Sequence, residues 1–136
     1  MALEAFLKQN KKEQKTTLYP ASESFVDENG RPMMWKLRPL GTLEAENIRK
    51  QCQQYGKGGI VKVDTARFNR EIAVKCTVEP NLNDKQLQDS YGVMGAEDLI
   101  AEMLDKDGEY QAYVKKCMEI SGYKESEADL VDEVKN

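Results

Sequence analysis

Apolar residues recur along this chain with two different periods, and the switch between them divides it. At the start, Leu3, Phe6 and Leu7 fall on one side of a short helical segment followed by Lys and Gln. Helices below roughly 12 residues are marginal in water, so this segment is expected to dock on its own domain or on a neighbour. Between residues 16 and 40 the helical period is lost. Pro20 ends any helix near it. Residues 24–26 (Ser-Phe-Val) and 33–37 (Met-Met-Trp-Lys-Leu) then flank Asp27-Glu28-Asn29-Gly30-Arg31-Pro32. Asn29-Gly30 is a strong turn signal, because both residues accept positive φ. Met33, Trp35 and Leu37 alternate with Met34, Lys36 and Arg38, which gives a strand with one apolar face. The pattern predicts a β-hairpin over residues 22–38, with Trp35 as its core anchor and Met34 on the opposite face.

After Pro39 a helical period takes over. Thr42 is placed to cap a helix running to about Tyr55, with Glu44 and Glu46 near its positive end and Ile48, Cys52 and Tyr55 as its buried stripe. The glycines of 56–59 break it, and residues 60–63 (Ile-Val-Lys-Val) read as a short third strand. Asp64 or Thr65 caps the next helix, predicted to about Val78, along which Phe68, Ile72 and Cys76 recur with Ala73 beside them. Asn83, with Gln86 completing a capping box, starts a brief helix that carries Leu87 and Tyr91 and ends at Gly92. Residues 96–104 put Leu99, Ile100, Met103 and Leu104 on one face. Beyond Gly108, residues 109–121 place Tyr110, Tyr113, Val114, Cys117 and Met118 at three-to-four spacing, closed by Gly122. Ser126 with Asp129 can start one more short helix carrying Leu130, Val131 and Val134.

The expected fold class is therefore α+β and predominantly helical, an N-terminal β-hairpin (about 22–38) followed by a bundle of about five short helices. Residues 1–15 read as a short helical arm, 16–123 as a single globular domain and 124–136 as an acidic tail. The 136-residue chain is long enough to bury a core without disulfides or metal.

Candidate chemistry is sparse. The chain contains no histidine, which removes Ser-His-Asp and Cys-His arrangements, His-ligated metals and the usual general base near neutral pH. Cys52, Cys76 and Cys117 are odd in number and far apart, so neither a disulfide framework nor a zinc site is expected, and core packing is the simplest role for each. Gly56-Lys57-Gly58-Gly59 lacks the pattern that cradles phosphate. No cofactor and no metal are expected. The longest apolar runs are far short of the roughly 20 residues that cross a bilayer, and the first residues lack the apolar core of a signal peptide, so the expected location is the cytoplasm with no membrane partner.

Net charge is −4, which argues against nucleic acid as the main partner; Arg67, Arg70 and Lys75 read more simply as a solvated helix face. The charge is uneven, however. Residues 1–15 carry four lysines against Glu4 and Glu13, a balance of +2, whereas residues 121–136 balance at −3. Either these are two solvated ends, or they are complementary ends that align partners or neighbouring copies in a homo-oligomer.

Several stretches resemble one known family: the opening MALEAFLKQNKK, the hairpin DENGRPMMWKLRPL, the segment VEPNLNDKQLQDSYGVMGAEDLIAEML and the later GEY and ISGY. In order and spacing they are similar to the XkdN-like tail assembly chaperones of contractile-tailed phages, prophages and tail-like bacteriocins of Gram-positive bacteria. The similarity spans roughly residues 2–123 and is weakest over the acidic tail. It implies a non-catalytic protein of the bacterial host's cytoplasm that binds the tape measure protein, helps recruit tail tube protein and is absent from the mature particle. A structural subunit retained in the tail, or a small regulatory binding protein, would be the alternatives. The family brings no catalytic motif. Among the methionines, Met103 and Met118 fall on core stripes, whereas Met34 is a surface candidate. The residues expected to meet a partner are Leu3, Phe6, Leu7, Met34, Leu130, Val131 and Val134, because they form short apolar patches outside the main helical block; folding back on their own domain is the competing expectation.

Overall fold

A computed structural model describes residues 2–124. Its centre is a short, twisted antiparallel sheet against which helices pack. Strand β1 (Thr17–Tyr19) pairs with β2 (Trp35–Leu37) in the register Thr17 to Leu37 and Tyr19 to Trp35. The ladder turns the alternate side chains Trp35 and Leu37 into the interior, where both are buried, and leaves Leu18 outside. The Asn29-Gly30 turn is present: the Asp27 carboxylate accepts from the Asn29 and Arg31 amides at 2.8 and 3.0 Å, and Gly30 sits at φ +78°. A side chain there would be strained in this left-handed conformation. The hairpin is wider than the expected one, because β2 pairs with residues 17–19; residues 24–26 contribute only the bridge from Val26 to Pro32 near the turn. Met33 is half exposed, at 48%, because it lies on this ribbon beyond the end of the ladder, so the buried alternation starts at Trp35.

Five helices follow. Helix α1 (Thr42–Gln51) is capped one residue earlier than expected: Gly41, not Thr42, is the N-cap, and its amide donates to the Glu44 carboxylate at 3.1 Å. That carboxylate is held in turn by a two-pronged ion pair with Arg38 at 2.9 and 2.7 Å. Helix α1 does not reach Tyr55. It stops at Gln51, and the chain enters a separate two-stranded hairpin of β3 (Gln53–Tyr55) and β4 (Val61–Val63). Tyr55 is thus 77% exposed instead of buried, while Ile48 and Cys52 are buried as expected. The reason is local. A glutamine-rich stretch at 51–54 offers no apolar contact to extend the helix, and the β-branched residues after the glycines pair back on it.

Helix α2 (Thr65–Cys76) is the hub, packing on α1 and on the last two helices, Ala96–Met103 and Asp107–Ile120. Asp64 caps it by accepting from the Arg67 amide at 3.1 Å. It ends at Cys76, not Val78, because β5 (Thr77–Glu79) adds to the free side of β2. The brief helix α3 (Lys85–Ser90) is capped by Asp84, which accepts from Leu87, and not by Asn83, whose own amide is turned back to Asn81. Helix α4 (Ala96–Met103) and helix α5 (Asp107–Ile120) then cover α2, with Gly108 inside the first turn of α5. Leu99, Ile100, Met103, Leu104, Tyr113, Val114, Cys117 and Met118 are all buried. Gly122 closes α5, its amide and that of Tyr123 bonding to the carbonyls of Glu119 and Met118.

Sheet and helices meet in an aromatic cluster. Tyr113 lies edge-on to Trp35, ring centroids 5.3 Å apart, with Tyr19 at 6.1 Å from Tyr113. Thr77 donates its hydroxyl to the Ala73 carbonyl at 2.7 Å, which leaves Tyr113 as donor to Thr77 at 2.6 Å. Burial pushes the Tyr113 phenol far above its usual titration range. The three cysteines are buried thiols; Cys76 and Cys117 share a hydrogen bond that lowers the first and, with burial, raises the second.

Candidate partner-binding surface

A protein that binds another protein without a cavity needs apolar side chains that its own core has not consumed. Among the described residues these gather in three places, apart from the singly exposed Leu18, Leu43, Val78 and Met94. The first is the N-terminal arm. Residues 3–6 and 8–10 form two short 3₁₀ turns whose hydrogen bonds stay within the arm, such as Leu7 N–H to the Glu4 carbonyl at 3.2 Å. Leu3 and Phe6 are 68% and 73% exposed, and Leu7 is also exposed. Every residue from 2 to 16 is exposed, so the arm does not cover the domain's own core. Four lysines, Lys8, Lys11, Lys12 and Lys15, follow the apolar tip.

The second place is the ribbon leading into β2, where Val26, Met33 and Met34 are half exposed. Met34 sits outside, next to the buried Trp35, as the alternation predicts. The structure does not join it to the arm: the arm enters the sheet at Thr17, opposite Leu37, at the far end of a ladder about 10 Å long. Leu130, Val131 and Val134 lie outside the described residues.

The third place is legible only in part: the strand expected at residues 60–63 is present as β4 (Val61–Val63), but its pairing with residues 53–55 is not legible. The β3–β4 hairpin projects from the body with residues 53–63 all exposed. Cross-strand pairing sets Tyr55 against Val61 and Gln53 against Val63, so Tyr55, Val61 and Val63 share one face, with Ile60 at the turn. An isolated two-stranded hairpin is marginal in water, and here its apolar face has no covering element among the described residues. Lys57 and Lys62 make the hairpin basic, and residues 53–63 contain no carboxylate. Tyr55 before Gly-Lys-Gly-Gly and Ile60, Val61 and Val63 after it carried the signal; reading Ile48, Cys52 and Tyr55 as one helical stripe hid it.

Concave sites are modest. A groove of about 650 Å³ lies between α2, α4 and α5, lined by Asn69, Arg70, Asp105, Asp107 and Tyr110 among others. Asn69 Oδ1, Arg70 Nε and the Tyr110 hydroxyl are buried there without a hydrogen-bond partner, and Arg70 stacks over the Tyr110 ring at 5.8 Å. Nearby, Glu71 is almost fully buried and faces Glu97; sharing a proton with Glu97, together with burial, raises its carboxyl to about 7. A carboxyl raised in this way can serve acid–base chemistry. Glu71, however, lines neither this groove nor the smaller one of about 200 Å³ beside Glu97, a volume below that of ordinary ligand pockets. Among the described residues there is no group of three or more His, Cys, Asp or Glu that could hold a metal ion, and no helix long and apolar enough to cross a membrane.

Comparison with known proteins places this architecture. Residues 3–135 match the family described as phage XkdN-like tail assembly chaperone protein, a match that extends through the acidic tail. The phage-like element PBSX protein XkdN of Bacillus subtilis is 29% identical over 121 residues, covering 86% of this chain and 82% of that protein. The uncharacterized protein YqbN of the same organism is 30% identical over 121 residues, covering 86% and 81%. The crystal structure of YqbN superposes with a TM-score of 0.77 at 24% identity, over 91% of this chain and 98% of that one; at that identity the likeness concerns the fold.

Proposed function

The chain belongs to the phage XkdN-like tail assembly chaperone family, and from that premise we propose that it holds apolar helical segments of the tape measure protein while the tail tube is built. It does this without catalysing a reaction, in the cytoplasm of the bacterial host. It brings tail tube protein to the growing assembly and leaves before the particle is complete. The observation that supports this reading is the pair of projecting basic arms, whose apolar side chains stand outside the core. A tape measure helix exposes an apolar face until the tube encloses it, and a holder must present apolar contacts with a charged, soluble rim. Phe6 and Tyr55, both about three-quarters exposed, supply rigid aromatic anchors, and the flanking lysines favour segments whose apolar stripe is bordered by carboxylates.

Co-expression with the neighbouring tape measure protein tests the reading. The parent chain is expected to keep that protein soluble, and a variant carrying Leu3→Ser, Phe6→Ser and Leu7→Ser to lose most of that effect while melting at the parent's temperature. Mass spectrometry of purified particles separates the chaperone from a retained subunit: stoichiometric amounts of this chain in mature tails would overturn the proposal.

A further inference from the structure

The groove between α2, α4 and α5 holds polar atoms that its own fold leaves unused. Asn69 is 2% exposed, and its Oδ1 has no partner among the described residues; nor have Arg70 Nε and the Tyr110 hydroxyl beside it. Asn69 Oδ1 can only accept, Arg70 Nε can only donate, and the Tyr110 hydroxyl does either. Buried polar atoms in that state are costly, and the great majority in folded proteins have a partner. An amide satisfies this set at once, its N–H donating to Asn69 and its carbonyl accepting from Arg70. Asp105 and Asp107 line the same groove from exposed positions, which favours a cation at its mouth. The chemistry called for is an amide flanked by a positive charge.

The N-terminal arm has that composition. Residues 8–15 interleave Gln9, Asn10 and Gln14 with Lys8, Lys11, Lys12 and Lys15, and against Glu13 they balance at +3. All of them are exposed. The Asn10 amide is spent on the Glu4 carbonyl at 2.6 Å, whereas the Gln9 and Gln14 amides make no hydrogen bond among the described residues. The arm also leaves the fold away from its own groove. Ser22 donates to Glu109 in the first turn of α5 at 2.7 Å, and Tyr19 packs on Tyr113. Read back from Ser22 to Thr17, the chain therefore runs along α5 toward its C-terminal end. The groove lies at the other end, around Asp107, Tyr110 and Gln111, and a helix of this length spans about 20 Å.

We propose that residues 8–15 of one copy dock in the groove of a second copy, a glutamine amide meeting Asn69 and Arg70 and the lysines meeting Asp105 and Asp107. Because arm and groove sit toward opposite ends of α5, the contact is head-to-tail. Each added copy leaves one arm and one groove open, so addition continues to a ring or an open chain. Leu3, Phe6 and Leu7 lie outside the docked stretch and stay available. The docking stands on the groove and the arm; only its use, a row of copies along one long partner, rests on the tape measure reading.

Sedimentation of the purified full chain tests the docking. Its average mass is expected to rise past that of a dimer as concentration approaches about 1 mM, the range of weak association. A groove variant (Asp105→Lys, Asp107→Lys) and an arm variant (Lys8→Glu, Lys11→Glu, Lys12→Glu, Lys15→Glu) should each associate at least about tenfold more weakly at the parent's melting temperature. An equal mixture of the two should recover association, since each keeps the half that the other lacks. Asn69→Ala, with both aspartates intact, should also weaken it. A parent chain that stays monomeric throughout overturns the proposal, leaving the groove to water or to its own arm. So does association untouched by both charge variants, which would place the contact elsewhere, or a mixture no heavier than its components. The variant with Leu3→Ser, Phe6→Ser and Leu7→Ser should associate like the parent; if it does not, the apolar tip is what docks and the proposal falls. Failure of the tape measure reading appears only in the co-expression assay, so the two failures are distinguishable.

Discussion

Two carboxylates in this fold are driven in opposite directions, and each leaves a signature in how stability depends on pH. Glu71 is held protonated to about 7 by Glu97 and by burial. Between its ordinary value near 4.5 and 7, the folded chain binds more protons than the unfolded one, so stability falls as pH rises through that window and is flat above it. Glu71→Gln should remove the fall: the variant is expected to be more stable than the parent by about 1 to 3 kcal/mol at pH 8 and equal to it near pH 4.5, read by urea unfolding. Glu44 behaves inversely. Its hydrogen bonds to Arg38 hold it down to about 2, so its contribution is present above 4.5 and lost as pH falls from there toward 2. In the core, Tyr113→Phe deletes the hydrogen bond to Thr77 and should cost about 1 kcal/mol, whereas Trp35→Ala empties the aromatic cluster and should cost about 3 to 5 kcal/mol. The identities of these core residues were readable from the sequence, because Trp35, Tyr113 and Cys117 recur at strand or helix period on apolar stripes. The Glu71–Glu97 pair was not readable: two glutamates 26 positions apart become neighbours only when α4 packs on α2.

Helices α2, α4 and α5 follow directly from their spacing, since each carries three or more apolar residues at helical intervals. The Asp64 cap is the clearest case, and Asp64→Ala should lower stability by about 0.5 to 2 kcal/mol through the lost bond to the Arg67 amide, measured as a shift in the unfolding midpoint. The sheet was less accessible. Strand β2 was visible in its alternation, but its partners come from residues 17–19 and 77–79, and neither run of three residues carries a period long enough to read. The same shortness concealed β3. Tyr55 completes an apparent helical stripe with Ile48 and Cys52, and only the pairing of Gln53–Tyr55 with Val61–Val63 turns it outward. Strand pairing is a long-range event, and three-residue strands leave almost no local trace of it. This is why the hairpin's apolar face is not legible in the sequence, whereas the apolar tip of the N-terminal arm is a contiguous stretch carrying Leu3, Phe6 and Leu7.

Taken as one object, the molecule separates its tasks. A core built from a three-stranded sheet and the helices around α2 carries the stability, and two basic, apolar projections extend from it without contributing to that core. Substitutions on the projections should therefore be nearly neutral for folding and large for partner binding, the reverse of core substitutions. The acidic tail and the lysine-bearing arms also make association sensitive to salt: raising ionic strength from 0.1 to 1 M shortens the screening length from about 10 to 3 Å and should weaken partner binding without unfolding the domain. The most direct test is the affinity of purified chain for soluble tape measure segments, measured by calorimetry with the parent and with a variant carrying Leu3→Ser, Phe6→Ser, Leu7→Ser, Tyr55→Ser and Val61→Ser. The expected result is at least a tenfold loss of affinity, about 1.4 kcal/mol, at unchanged thermal stability. Undiminished binding by that variant would contradict the account and move the holding surface elsewhere on the molecule.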